Sequence, residues 1–369
     1  MLKRSEFCVS PVKNRSPAPC YKGGHLITTC GLSHKKPMKK FSTTQIMLLT
    51  CLANGQCHSG SSLGSRLSMS RTAIWKHIKQ LIDLGLPIER LPQKGYRLTH
   101  PMTLLDAQTI NQQVRINQFN KPINIHLYAT LDSTNRVLKE LPRSTAIEIC
   151  CAEKQTAGRG RFGRYWYSPF GENIYCSSRW HFGCDLSRLS GLSLVVSLAI
   201  VATLNDFGIS EHLRVKWPND ILWHNRKLSG SLIEVIAESN SAADVVIGIG
   251  LNVNSTTTEH DHTMRPDKPW CSLFDITGHY MDRNALIAGL LSHLNEFLTE
   301  FMLQGFNAFI LRWQSIDYLH GQLITVSQPT GTLTGTAHGV NKAGQLILID
   351  EAGIKHDLSS GDTSLHGLR

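Results

Sequence analysis

What the chain lacks narrows it first. Its 369 residues include ten cysteines but no C-x-x-C pair and no His/Cys cluster at the spacing of a structural zinc site. No metal ligands are therefore assigned. The cysteines read as free thiols, with Cys150 and Cys151, adjacent in an apolar strand-like run, as buried ones. A reducing, cytoplasmic compartment is the expectation. The longest apolar run, GLSLVVSLAIVATL (Gly191–Leu204), has 14 residues. A bilayer span needs about 20, so a buried helix is expected there and no membrane partner. Residues 1–37 lack the apolar stretch of a secretory signal. They are Pro/Ser/Lys-rich, and Met38 opens MKKFSTTQIMLLTCLANG, which reads as a natural start. Residues 1–40 are accordingly a disordered leader or a misassigned start. Strong charge is scarce elsewhere: of the net +10, +6 lies in residues 1–37 and +4 in the remaining 332. The basic balance is a property of the tail and says little about nucleic acid.

The rest has the composition of globular protein, 41% hydrophobic and 18% charged, and a length suited to two or three domains. In residues 41–100, Ile46, Leu49 and Leu52 mark one face of a short helix, with Gly55 as its stop. Leu63 and Leu67 mark a second helix capped by Ser59. After a turn at Ser68–Ser70, a third helix places Ile74, Ile78, Leu81 and Ile82 inward and ends at Gly85. IERLPQKGYRL (Ile88–Leu98) then reads as two short strands. Three helices and a hairpin make a winged helix-turn-helix whose third helix can enter the major groove. Ser70, Arg71, Thr72, Trp75 and Lys76 lie near that helix's start, and Lys94 on the wing can reach phosphate. A protein–protein module is the alternative; the cations and hydroxyls, with no acid among them, favour DNA. Trp75 is bulky for base readout and could pack instead.

From Thr103 strands and helices alternate. INIHLYAT, TAIEICCAE, NIYCSSRWHF, LRVKW, DILW, LSGSLIEVI and DVVIGIGLNVN read as strands, and Leu186–Phe207 as the apolar helix. One mixed sheet with flanking helices, spanning 101–319, accounts for them. Leu286–Phe301 and Phe306–Trp313 read as helices leading to short strands in 320–369, which fit a small SH3-like barrel. The fold class is thus α+β.

GRGRFG (Gly158–Gly163) matches G-x-G-x-x-G, but RYWYSPFGENIY follows it, and no helix fits there. A dinucleotide turn needs that helix to meet the pyrophosphate. One short copy inside a globular pattern is not an arginine–glycine RNA tract either. What remains is a loop with Arg159, Arg161 and Arg164 between glycines, able to fold over an anionic ligand. VKWPND (Val215–Asp220) and RKLSG (Arg226–Gly230) add Lys227, Asp220 and a glycine against which a ligand can lie.

Together DSTN (Asp132–Asn135), EKQTAGRGRFGRYWYSPFG (Glu153–Gly171), KWPND (Lys216–Asp220), KLSG (Lys227–Gly230) and IGLNVN (Ile249–Asn254), behind a winged helix, resemble the bifunctional biotin–protein ligase/biotin-operon repressor family. The resemblance runs from about Thr43 to the C-terminus. It implies a class II synthetase-like ligase domain that joins biotin and ATP, with Mg²⁺, into biotinyl-5′-AMP. A lysine of the biotin carboxyl carrier protein of acetyl-CoA carboxylase then takes the biotin. Biotin operator DNA and an adenylate-bound homodimer are the implied partners. By motif, Ser133, Thr134, Asn135 and Gln155 would hold the biotin head, and Gly158, Arg159, Gly160 and Arg161 would cover biotin and the acyl-phosphate. Lys227, beside Gly230, would bind carboxylate and phosphate, so Lys227, Arg159 and Arg161 are the catalytic candidates. Arg164, Asn219, Asp220, Asn252 and Trp270 would serve the nucleotide. Two residues depart from the pattern: Ser231, where an apolar residue is usual and a tuned pocket is expected, and Trp75, where a smaller polar residue is expected. A lipoate-type ligase and a DNA-binding biotin sensor without ligase activity are the competing readings.

Overall fold

The computed structural model describes residues 38–117, 119–239, 242–256, 268–329 and 331–365, with the side chains of 237–239 excepted. The leader expected over 1–40 lies almost wholly outside the described residues.

Three serines start the three N-terminal helices. Ser42, Ser59 and Ser70 each accept a backbone N–H from the first turn of α1 (Thr43–Leu52), α2 (Gly60–Leu67) and α3 (Arg71–Asp83). Gly85, at φ +97°, follows the end of α3 as expected. The hairpin β1 (Ile88–Leu91) and β2 (Gly95–Leu98) is the wing. It is tied to the α1–α2 connection by reciprocal backbone hydrogen bonds between His58 and Tyr96, both 2.9 Å. Leu48, Leu49, Leu52, Leu63, Ile74, Ile78 and Leu81 form the core. Two residues assigned to it do not belong: Ile46 is 46% exposed and Ile82 42% exposed. Leu48 takes the inward place on α1, and Ile82 lies about 100° round the helix from Leu81.

The core also takes residues from beyond the wing. Met102 and Phe170 are buried in it, and Phe170 packs edge-on against Phe41 with ring centroids 5.9 Å apart. The connecting segment is held by a buried ion pair: Glu153 sits 2.8 Å from Arg283, accepts the Leu105 N–H, and Arg283 donates to the Thr103 carbonyl.

The central domain is a seven-stranded mixed sheet in the order β3-β4-β5-β9-β8-β7-β6. β3 (Ile123–Tyr128) and β4 (Ile147–Ala152) are parallel; β5 (Ile174–Phe182), β6 (Leu213–Lys216), β7 (Asp220–Trp223), β8 (Arg226–Ser239) and β9 (Ala242–Leu251) pair antiparallel. α4 (Ala107–Ile116), α6 (Leu192–Asp206) and α8 (Arg283–Gln304) share the large core with one face of the sheet, and α5 (Thr134–Glu140) packs with the smaller cluster around Leu138 and Val246. The apolar helix is shorter than expected: Leu186–Leu189 is one 3₁₀ turn, and α6 begins only after Gly191, at φ +85°. A Cβ there would lie 2.9 Å from the Phe306 ring. Eleven residues of α6 are buried, so this is a core helix. Phe306–Trp313 likewise divides into a 3₁₀ turn and α9 (Ile310–Gln314). The short α7 (Leu273–Thr277) precedes α8.

The C-terminal strands β10 (Leu323–Gln328), β11 (Gly331–Val340), β12 (Leu346–Ile349), β13 (Lys355–Leu358) and β14 (Asp362–Leu365) form a five-stranded antiparallel sheet. The thiols of Cys51, Cys57, Cys150, Cys151, Cys176, Cys184 and Cys271 are free. Hydrogen bonding to Cys176 together with burial raises the Cys151 pKa, and burial raises that of Cys150, which leaves both unreactive.

Candidate functional site

A cavity of about 470 Å³ opens where β7, β8 and β9 meet the 158–167 loop and the C-terminal domain. Its neutral end is built on the start of α5. Gln155 Oε1 accepts from the Thr134 backbone N–H at 2.9 Å and lies 3.2 Å from the Thr134 hydroxyl. Ser177 Oγ sits 2.7 Å from Thr134 Oγ1 and 2.6 Å from Asn135 Oδ1. Asn135 donates to Glu234 at 2.8 Å and to the Leu232 carbonyl. The Gln155 oxygen is thereby engaged, and among the described residues its amide N–H groups make only a long 3.4 Å bond to Ser168, which leaves donor capacity for a ligand. Ser133 makes no capping bond with its side chain. Ser133, Thr134, Asn135, Gln155, Ser168 and Ser177 are buried, and Glu234 is half-buried.

The Gly158–Tyr167 stretch is a hairpin-like turn. Gly160 N–H donates to the Arg164 carbonyl at 2.7 Å, Trp166 N–H donates to Gly158 at 2.9 Å, and Arg159 bridges Tyr165. A single 3₁₀ turn at Arg161–Gly163, with Phe162 at φ +56°, is its only helical feature, in keeping with the exclusion of a dinucleotide turn. Arg161 reaches the Asn219 amide oxygen at 3.4 Å and the Gly361 carbonyl at 3.1 Å, and Arg164 is paired with Asp362. Arg159 lies 3.8 Å from Glu234.

Opposite this turn, Lys227 binds Asp220 at 2.7 Å, and a Cβ on Gly230 would sit 3.2 Å from both. The backbones of Lys227 and Cys271 are hydrogen-bonded, which brings Trp270 to the rim. Asn252 donates to the Cys271 carbonyl at 3.1 Å. Cations from four segments (Arg159, Arg161, Arg164, Lys216, Lys227, Lys268) thus line one cavity against Asp220 and Asp362. Burial lowers the pKa of Lys216, with Lys268 adding to it, and burial lowers that of Arg161. Burial pushes Asp362 up, but the Arg164 hydrogen bond and the nearby lysines outweigh it and hold the carboxyl below its ordinary value. Glu234 is held low in the same way by Lys139 and Asn135. Excess positive charge, part of it half-buried at Arg161, Lys216 and Lys227, suits a polyanion bound next to a neutral, donor-rich recess.

Of the residues picked out from the motifs, Ser133, Thr134, Asn135, Gln155, Arg159, Gly160, Arg161, Lys227, Gly230, Arg164, Asn219, Asp220, Asn252 and Trp270 all line this cavity. Gly158 does not. A Cβ there would meet the Trp166 carbonyl at 2.7 Å and Ser168 Oγ at 2.8 Å, so its smallness closes the base of the turn. Ser231 lines the cavity, but strand alternation turns its side chain away from the face of Gly230, and its buried hydroxyl has no partner among the described residues.

Four contributors went unread in the sequence. Trp166 lies flat on Gly250, where a Cβ would be 2.5 Å from the indole, and Lys227 Nζ sits 5.3 Å from its ring centroid. Gly248 makes room for Asn135, whose Oδ1 would be 2.1 Å from a Cβ. Asp362 and Thr363 come from the C-terminal sheet, where Thr363 accepts from Lys216 at 2.7 Å. The alternating glycines of IGIGLN were the available signal for the first two; nothing local marks the others.

On the winged helix, Arg71, Thr72, Trp75, Lys76 and Lys79 are exposed along α3, as is Lys94 on the wing. Ser70 Oγ is engaged as the α3 cap and keeps its proton to donate. Trp75 does not pack into the core.

The profile of the biotin/lipoate A/B protein ligase family matches residues 127–252, and that of an HTH domain matches residues 43–97. The bifunctional ligase/repressor BirA of Salmonella typhimurium is 36% identical over 327 residues, covering 88% of this chain and 98% of that one. The Bacillus subtilis protein of the same name is 32% identical over 306 residues, 82% and 92% of the two chains. Among solved structures, the Aquifex aeolicus biotin protein ligase in complex with biotin and ATP aligns with TM-score 0.56 at 28% identity, over 67% of this chain and 99% of that one.

Proposed function

The chain belongs to the biotin/lipoate A/B protein ligase family, in its ligase/repressor branch, and on that premise we propose how its cavity and winged helix divide the work. It is an ATP-dependent biotin–protein ligase of the biotin–[acetyl-CoA-carboxylase] type and a biotin-responsive DNA-binding repressor.

Biotin enters with its ureido ring in the neutral recess. Gln155 Nε2 and the Ser133 and Thr134 hydroxyls meet the ring's oxygen and N–H groups, which must be matched once buried. The chain of biotin runs past the Trp166 indole toward Lys227. Its carboxylate then reaches Lys227, where the α-phosphate of ATP also arrives. The carboxylate oxygen attacks that phosphorus, pyrophosphate leaves, and biotinyl-5′-AMP remains. A carrier lysine, as the free amine, attacks the acyl carbon; AMP leaves and the amine proton goes to solvent. Both steps crowd negative charge at one phosphate, so this chain contributes chiefly position and preorganised positive charge. Arg161 and Lys227 face that charge, Arg159 covers the acyl-phosphate, and Arg164, Asn252 and Trp270 hold the nucleotide. Asp220 has one oxygen on Lys227 and the other in no hydrogen bond among the described residues; with the Asn219 amide oxygen it fits a Mg²⁺ carried in on the phosphates. When bound, that ion would neutralise phosphate charge.

The convergence of Lys227, Arg161 and Asp220 beside the Gln155 recess carries this reading. Incubation with ATP, Mg²⁺, biotin and a biotin carboxyl carrier domain should add one biotinyl group by intact mass. Labelling with lipoate instead, or biotinyl-AMP formation without carrier labelling, would replace it with one of the competing readings. The repressor half acts as an adenylate-linked homodimer on a two-fold operator in the cytoplasm: one winged helix buries only about 600–1,000 Å² on DNA, and two linked copies gain through effective concentration. A monomer by sedimentation with biotin and ATP present would refute the dimer.

A further inference from the structure

Trp75 is the residue of the DNA-binding helix that neither the fold nor a cation-and-hydroxyl surface explains. It lies on α3 at 48% exposure, outside the hydrophobic core. Arg71 precedes it by four residues and Lys79 follows by four, so the three share one stripe of the helix. Thr72 and Lys76 flank the stripe, and from Ser70 to Gln80 the chain carries no acid. The Lys79 ammonium lies 5.7 Å from the indole centroid, one approach that holds the ring against the helix. An exposed tryptophan costs solubility and contributes nothing to this domain's core. Its surroundings have the charge of a phosphate-facing surface, and the helix is the one that a helix-turn-helix offers to the major groove.

In that groove a large apolar surface has one complementary partner among the bases. Guanine, cytosine and adenine present chiefly polar groups there and no methyl, whereas thymine presents its C5-methyl group. We propose, on the footing of the repressor reading above, that Trp75 is a specificity-determining residue that packs its indole on a thymine C5-methyl, with Arg71 and Lys76 fixing the helix on the adjoining phosphates. The chain therefore selects a thymine at one position of each half-site.

The test uses the full chain with biotin, ATP and Mg²⁺. Duplexes enriched from a random pool are rebuilt with deoxyuridine in place of thymine, one position at a time, which deletes the methyl and nothing else. Wild type should lose about fourfold in affinity at one thymine per half-site, the worth of one buried methyl. Trp75→Ala should bind the parent duplex more weakly, no longer distinguish thymine from uracil at that position, and keep the same salt slope because no cation is removed. Carrier biotinylation should be unchanged, and the DNA binding that remains reports that the winged helix is folded. Equal thymine/uracil discrimination in wild type and Trp75→Ala, with DNA binding intact, overturns the proposal and leaves the repressor reading standing. Failure of the wild type to enrich any duplex removes both.

Discussion

Lys227→Ala is the substitution with the most calculable consequence. The ammonium it removes is bound to Asp220 at 2.7 Å and lies 3.2 Å from the position of a Gly230 Cβ, at the place assigned to the reacting carboxylate and phosphate. A unit charge about 4 Å from another is worth about 4 kcal/mol at an effective dielectric near 20, which is about three decades in rate. Asp220 already cancels part of that field, so the loss should fall at about 10²–10³-fold, the range for removing one preorganised donor at a developing anion. The variant also leaves Asp220 as an unpaired carboxylate facing the incoming phosphate. Lys227→Ala combined with Asp220→Ala should therefore cost less than the two single losses added together, a non-additivity expected for contacting partners. Biotin-dependent ATP–pyrophosphate exchange reads the first step alone. Transfer from supplied biotinyl-AMP to a carrier domain reads the second and should suffer less. Near-normal exchange in Lys227→Ala, with the fold intact by thermal melting, would refute the role assigned to this lysine.

Gly248→Ala should raise the KM for biotin far more than that for ATP, because its methyl would displace Asn135 from Ser177 and Glu234; equal changes in both would show that the neutral recess is not the biotin end. Arg159→Gly removes the cation 3.8 Å from Glu234 and should let biotinyl-AMP escape, read as labelling of bystander lysines; wild-type retention of the adenylate would mean that Arg159 covers nothing. Asp362→Asn should free the turn held through Arg164 and speed tryptic cleavage between Arg159 and Arg164 in the ligand-free protein. The Asp362 carboxyl is held below its ordinary value, so this clamp is complete above the ordinary aspartate range and lost only as pH falls through the depressed value. Cleavage of the wild type should accordingly not change between pH 6 and 8 beyond the protease's own profile, and a sharp rise there would point to another group.

What could be read from the sequence was local. Caps, glycine stops and the alternation of strands depend on neighbours a few residues apart, and Ser59, Ser70, Gly85 and the strand set all stand where their spacing puts them. The failures are long-range. Ile46 and Ile82 are apolar and helical, but which side of a helix faces inward is settled by the partners it meets. The start of α6 is fixed at Gly191, at φ +85°, where Phe306, over a hundred residues on, occupies the space of a Cβ. At the site, the motif residues line one cavity, yet Gly158 serves the turn's packing and Trp166 stands against Gly250. Asp362 was invisible because its partner, Arg164, lies 198 residues earlier in the chain.

The two activities share backbone. Lys39, at the start of the winged helix, exchanges hydrogen bonds with Ala129 and Thr130, two residues before the Asp132–Asn135 wall of the cavity. Lys154, whose Nζ stands 2.7 Å from where Gly85 would carry a Cβ, precedes Gln155. Phe170, buried in the winged-helix core, follows Ser168, which bonds both Gln155 and the Trp166 carbonyl. Two of the segments that would touch biotin, 132–135 and 155–168, therefore continue within a few residues into a contact with the DNA-binding domain. Close-packed contacts transmit displacement because they do not compress. A ligand that moves these segments must move the packing of Phe41, Met102 and Phe170 with them, and a ligand that leaves them in place has no purchase on DNA binding through this route. By reciprocity, whatever DNA does to that packing returns to the cavity with equal free energy. The coupling is then set by how far Trp166 and Gln155 shift on binding. It should weaken in a Phe170→Ala chain, which empties the junction while leaving every cavity side chain in place.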